Sequence, residues 1–150
     1  MWLVYALGLA NKLKHQSHLG SPTMASNIFT STVTYILSFE LFLGGQARLT
    51  PLLTPTLYKR AMSKADGTRK YLSFIPITDP IRHSNFIGGL MILAGALLLG
   101  QSTRVIGSVL SGSLSLAGVY SQNKMGIPYW LPCVNAVLAA IILLNKSEVV

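Results

Sequence analysis

The placement of charge constrains this chain more than any other feature. Residues 27–46 carry one charged side chain, Glu40, and residues 83–100, 105–121 and 127–145 carry none. A helix that crosses the hydrocarbon core needs about 20 mostly apolar residues, and these four windows meet or approach that. A water-facing helix shows a polar stripe every three or four residues. Here the polar content is Gly, Ser and Thr instead, and small hydroxyls can bond their own helix backbone in lipid. The sequence therefore predicts an all-α fold, an integral membrane four-helix bundle with spans at those positions. A soluble helical bundle is the rival, but four nearly charge-free helices cannot all be central in a chain of 150 residues. Composition agrees: charged residues make up 11%, against about 25% in an average soluble domain.

Lys and Arg number 12 against four Asp and Glu, a net charge of +8. Arg48, Lys59, Arg60, Lys64, Arg69, Lys70 and Arg82 gather between the first two windows, with only Asp66 and Asp79 to oppose them. Short basic connectors stay on the cytoplasmic side. The 48–82 connector is thus expected to face the cytoplasm and both termini the opposite side, although Lys12, Lys14 and Lys146 weigh the other way. Such a connector attracts anionic lipid weakly. No basic–aromatic interleaving or nucleic-acid fold signature accompanies it, so nucleic acid is not an expected partner.

The connector has its own pattern. Leu49-Thr50-Pro51 stops the first helix, because proline disfavours helical geometry before it. Thr54-Pro55 reads as a helix start, with threonine as N-cap and proline at the first helical position. Leu57, Tyr58, Ala61 and Met62 then form an apolar stripe opposite Lys59, Arg60 and Lys64. This predicts a short amphipathic helix at the interface or under the bundle. Ala65-Asp66-Gly67 is expected to end it. Residues 71–77 turn apolar again before Asp79-Pro80 begins the second span.

Residues 1–23 are expected to be an extension that adds little to a membrane domain at 24–150. Their apolar start is only ten residues long, too short to span, and it lacks the basic head of a secretory signal. The rival reading is an interfacial anchor that uses Trp2 and Tyr5.

Glu40 is the one acid within a span. A bare carboxylate at bilayer depth costs at least about 2.5 kcal/mol, so it is expected to face the bundle, to be protonated or to pair. Arg48 on the same helix lies too far along it, which points to a partner on another helix, Arg104 being the candidate. Glu40, Tyr58 and Arg104 are the candidate residues of a polar site. Gly107, Ser111 and Ser115 recur every four residues, with Ser108 and Gly112 alongside. Such spacing lets helix backbones approach closely. Gly88, Gly89, Gly95 and Ala96 offer the same to the second span, and Asn135, Ala136, Ala139 and Ala140 to the fourth. Packing within the bundle is the expected use, and a homo-oligomer seam is the alternative.

The order of features carries a resemblance. A first span runs into Arg48-Leu49-Thr50-Pro51 and then Tyr58-Lys59-Arg60-Ala61-Met62. A basic connector and Leu72-Ser73-Phe74-Ile75-Pro76 follow. A Gly-rich second span, Gly88-Gly89-Leu90-Met91-Ile92-Leu93-Ala94-Gly95, meets a third that begins at Thr103-Arg104. Residues 26–146 resemble the DoxX-like family of four-span membrane proteins, in particular the branch that contains the nicotinic-receptor assembly chaperone NACHO. The long charged C-terminal tail of that chaperone has no counterpart after Lys146. The resemblance implies a compact bundle, often an accessory subunit, with some relatives tied to quinone-linked oxidoreductase complexes and others to partner assembly. It implies no catalytic residue set.

No cofactor or metal is expected. His15 and His18 lack a third ligand, and His83 lacks a spaced partner for haem or di-iron. Cys133 lies within the fourth span and is expected to be inert. Gly88-Gly89 sits inside an apolar helix, not after a strand, so it is no phosphate loop. The sequon Asn145-Lys146-Ser147 sits too close to the span for ready modification.

Two functions compete. The first is a non-catalytic accessory or assembly subunit, whose partners are the bilayer and a membrane protein. The second is a small membrane-embedded enzyme (a cyclase, isomerase or oxidoreductase component) acting on a hydrophobic small molecule, with Glu40 as proton donor. Tyr35, Tyr120, Tyr129 and Trp130 would line its pocket, but interfacial belts explain them equally. A transporter is disfavoured, since four spans with one acid offer little pathway.

Overall fold

Val33, Thr34, Leu37, Ser38 and Leu41 are buried, while Tyr35, Ile36 and Phe39 between them are exposed. That three-and-four spacing gives the first long helix one inward face. The computed structural model describes residues 22–146, with side chains described over 28–145. Over these residues the chain forms six helices: α1 (Pro22–Leu49), α2 (Pro55–Ser63), α3 (Ala65–Tyr71), α4 (Pro80–Leu99), α5 (Arg104–Lys124) and α6 (Trp130–Lys146). No strand occurs among the described residues. The N-terminal extension expected at 1–23 lies almost wholly outside them.

The four long helices run up, down, up and down. α1 packs on α4, α4 on α5, α5 on α6, and α6 closes the ring onto α1. Small residues set the approach. A Cβ on Gly107 of α5 would lie 2.6 Å from the backbone nitrogen of Leu98 on α4. Gly112 faces Ala139, and Gly118 faces Pro132 of α6. Leu37, Leu41, Ala94, Leu98, Ala139 and Ile142 form the apolar centre. Buried polar side chains are nearly as numerous as buried apolar ones. On α5 the hydroxyls of Ser108, Ser111, Ser113, Ser115 and Ser121 each donate to a carbonyl three or four residues earlier.

The helices overrun the expected windows at most ends. α4 starts at Pro80 because the Asp79 carboxylate accepts the Arg82 amide at 2.8 Å and caps the helix. Residues 28–49 of α1 and all of α4 are long and apolar enough to cross a membrane. α6 is apolar but has 17 residues. α5 has 21 residues, and its serines and glycines keep it below the same apolar measure.

Two expectations about the connector need correction. Thr54 stands ahead of Pro55, but its hydroxyl makes no cap bond. It donates instead to Gln46 Oε1 at 2.8 Å, while Gln46 Nε2 donates to the Thr50 carbonyl at 2.9 Å. The turn between α1 and α2 is tied by these bonds. Nor is Ala65-Asp66-Gly67 itself the stop, since α2 ends just ahead of it at Ser63. The chain breaks at Lys64 and starts a second helix, α3, because Ala65 and Thr68 are buried against the bundle. Gly67 permits the close pass of Met125, whose sulfur would stand 2.5 Å from a Cβ there.

Candidate functional site

Two polar places emerge where the helices meet. The first is at mid-bundle. Glu40 lies on the flank of α1, half-buried, and faces the side chain of Asn135 on α6. Asn135 is 7% exposed. One Glu40 oxygen and the Asn135 Oδ1 are buried without a hydrogen-bond partner, as is Ser38 Oγ two residues before Glu40 in sequence. No cation pairs with Glu40 among the described residues, whose one ion pair is Arg69–Asp66.

Arg104 is not the partner of Glu40. Its Nε donates to the Leu98 carbonyl at 3.3 Å, and Thr103 Oγ1 donates to the Leu97 carbonyl at 2.8 Å. The last carbonyls of a helix lack internal donors, so the start of α5 satisfies the end of α4, and this holds Arg104 there. Tyr58 is half-buried on α2, below the end of α1, and its hydroxyl makes no hydrogen bond among the described residues. Glu40, Tyr58 and Arg104 thus occupy mid-bundle, the connector and the opposite end. The structure does not bring them together. Two shallow hollows lie on the connector, one of about 410 Å3 beside Arg69, Lys70 and Ser73 and one of about 340 Å3 beside Asp79 and Arg82. Neither is lined by a candidate residue.

The second polar place was not singled out from the sequence. His83, in the first turn of α4, is 0% exposed, and neither ring nitrogen completes a hydrogen bond. The Leu72 carbonyl faces the ring, and the charges of Arg48 and Arg69 both act on it. Arg48 Nη1 reaches Ser84 Oγ at a long 3.4 Å. Arg69 Nη2 reaches Asp66 at 3.3 Å on the surface, while its Nε is buried without a partner. The signal in the sequence was periodicity. His83 and Ser84 precede Ile87, Gly88, Ala94, Gly95 and Leu98 on one inward stripe of α4.

No family model matches the chain, and no curated protein does.

Proposed function

We propose that this chain is a four-span membrane protein and a non-catalytic accessory or assembly subunit. The observation that carries the reading is the inversion of polarity between inside and outside. Phe29, Tyr35, Ile36 and Phe39 of α1, Leu93 of α4, Ile106, Val109 and Leu116 of α5, and Val134, Val137 and Leu144 of α6 all face outward. Serine and threonine fill much of the interior. Each large apolar side chain is worth about 1.5–3 kcal/mol when buried, and a lipid surround recovers that for an outward belt on all four helices. Soluble monomers rarely expose contiguous apolar patches beyond a few hundred Å2. α5 fits the same surround despite its serines, because their hydroxyls are satisfied within the helix.

The accessory role is supported by the separation of Glu40, Tyr58 and Arg104, and by the position of the hollows away from them. The likeness to the DoxX-like family belongs to the same proposal. Two measurements test it. Carbonate washing should leave the chain in the membrane pellet; a chain that stays monodisperse without detergent overturns the membrane reading. Glu40→Gln should still insert and still recover its membrane partner in a detergent pull-down. Loss of turnover of a hydrophobic metabolite, with insertion intact, would favour the enzyme instead.

A further inference from the structure

The charges of Arg48 from α1 and Arg69 from α3 both act on His83 of α4 at the connector end of the bundle, with no acid among the groups that act on it. Asp66 bonds Arg69 from the outer side, its side chain 75% exposed, and Asp79 is committed to the Arg82 amide. Buried cationic donors are costly unless paired. Here Arg69 Nε and both nitrogens of a fully buried imidazole have no partner, and the one contact of Arg48 is long. Apart from Asp66 on the outer side of Arg69, no negatively charged acceptor faces these groups.

We propose that this place binds an oxyanion, a phosphate group held between Arg48, Arg69 and His83. Guanidinium forks match phosphate oxygens in bidentate fashion. A neutral His83 ring has one N–H, which can go to a phosphate oxygen or to the Leu72 carbonyl. The 410 Å3 hollow on the connector surface touches this place through Arg69 alone; Lys70, Ser73 and residues 75–78 form the rest of its wall. The phosphate is either a free ion or the headgroup of a lipid. Either source would tie the connector to the ends of α1 and α4.

The full chain, purified in a neutral detergent, tests this by thermal unfolding at constant ionic strength. One arm titrates inorganic phosphate against chloride. A second arm titrates phosphatidic acid against phosphatidylcholine in mixed micelles. Saturable stabilisation in the first arm identifies a free oxyanion, and in the second alone a lipid headgroup. Arg69→Gln should weaken that binding by about tenfold or more, as expected for loss of a charge-assisted hydrogen bond. Arg82→Gln removes the same charge from the exposed start of α4 and should leave it unchanged. If neither anion stabilises the chain saturably, or if Arg82→Gln weakens binding as much as Arg69→Gln, the site does not exist. A chain that needs no detergent runs the phosphate arm in plain buffer, so failure of the membrane reading is seen separately.

Discussion

Gly45 and Gly88 touch backbone to backbone. A Cβ on Gly45 would lie 2.7 Å from the Gly88 carbonyl oxygen, and a Cβ on Gly88 would lie 2.9 Å from the Gly45 carbonyl oxygen. Neither atom is the tip of a side chain that can swing away. Gly88→Ala must therefore push α1 off α4, and Arg48 Cβ, also 2.9 Å away, blocks the sideways escape. Overpacking of this kind costs about 1–3 kcal/mol. Gly89, the next residue, faces open space, so Gly89→Ala should be neutral, or stabilising by up to about 1 kcal/mol through helix propensity. Thermal unfolding of the two variants in one detergent compares them. Equal losses would mean that the crossing is looser than this.

The turn between α4 and α5 rests on Thr103. Its hydroxyl closes on the Leu97 carbonyl at 2.8 Å, an acceptor that the end of the helix leaves without an internal donor. Thr103→Val keeps the shape and removes the donor. The expected loss is about 1–2 kcal/mol, read as a lower midpoint in detergent unfolding. Arg104→Gln should cost less, because its bond to Leu98 is longer, 3.3 Å.

Glu40 and Asn135 should couple. In the proposed four-span arrangement Glu40→Gln removes a charge that is expensive at bilayer depth and keeps an amide that can meet Asn135, so stability should hold or rise. Asn135→Ala leaves the Glu40 side chain against an apolar neighbour and should lower it. Hydrogen bonds between helices in lipid average about 0.6 kcal/mol in double-mutant cycles, and the coupling energy of the pair should be of that order. A cycle of the two single variants and the double variant measures it. Additive effects would show that the two side chains do not interact.

The four long helices were legible because their signal is repeated. Inward stripes such as Leu37–Leu41 and Gly107–Ser111–Ser115 recur turn after turn, and charge stops at their ends. The connector was legible only in part. α2 announced itself by Pro55 and its apolar stripe, but Asp66-Gly67 reads locally as a stop. Only burial of Ala65 and Thr68 under the bundle keeps that turn helical. The polar pairings were the least legible. Asn135 sits among alanines, where spacing marks it as a packing residue, and only the ring closure of α6 onto α1 sets it opposite Glu40. His83 looked like a helix entry because no residue near it in sequence complements it. Its neighbours Arg48 and Arg69 arrive from two other helices.

The proposed arrangement places the α2–α3 connector and the α4–α5 turn at opposite ends of the bundle. Eight basic residues gather at the connector end, where Lys124 joins the seven between the first two spans, so that end should face the cytoplasm. Ser63 and Ser102 are both exposed, one at each end. With Cys133 replaced by Ser, Ser63→Cys should react with an impermeant maleimide only from the cytoplasmic side. Ser102→Cys should react only from the other. Labelling of sealed vesicles of each orientation gives the result directly. Reaction of both positions from one side would rule out an α4 that crosses the bilayer. Reaction of each from the side opposite to that expected would keep the four spans and reverse their orientation.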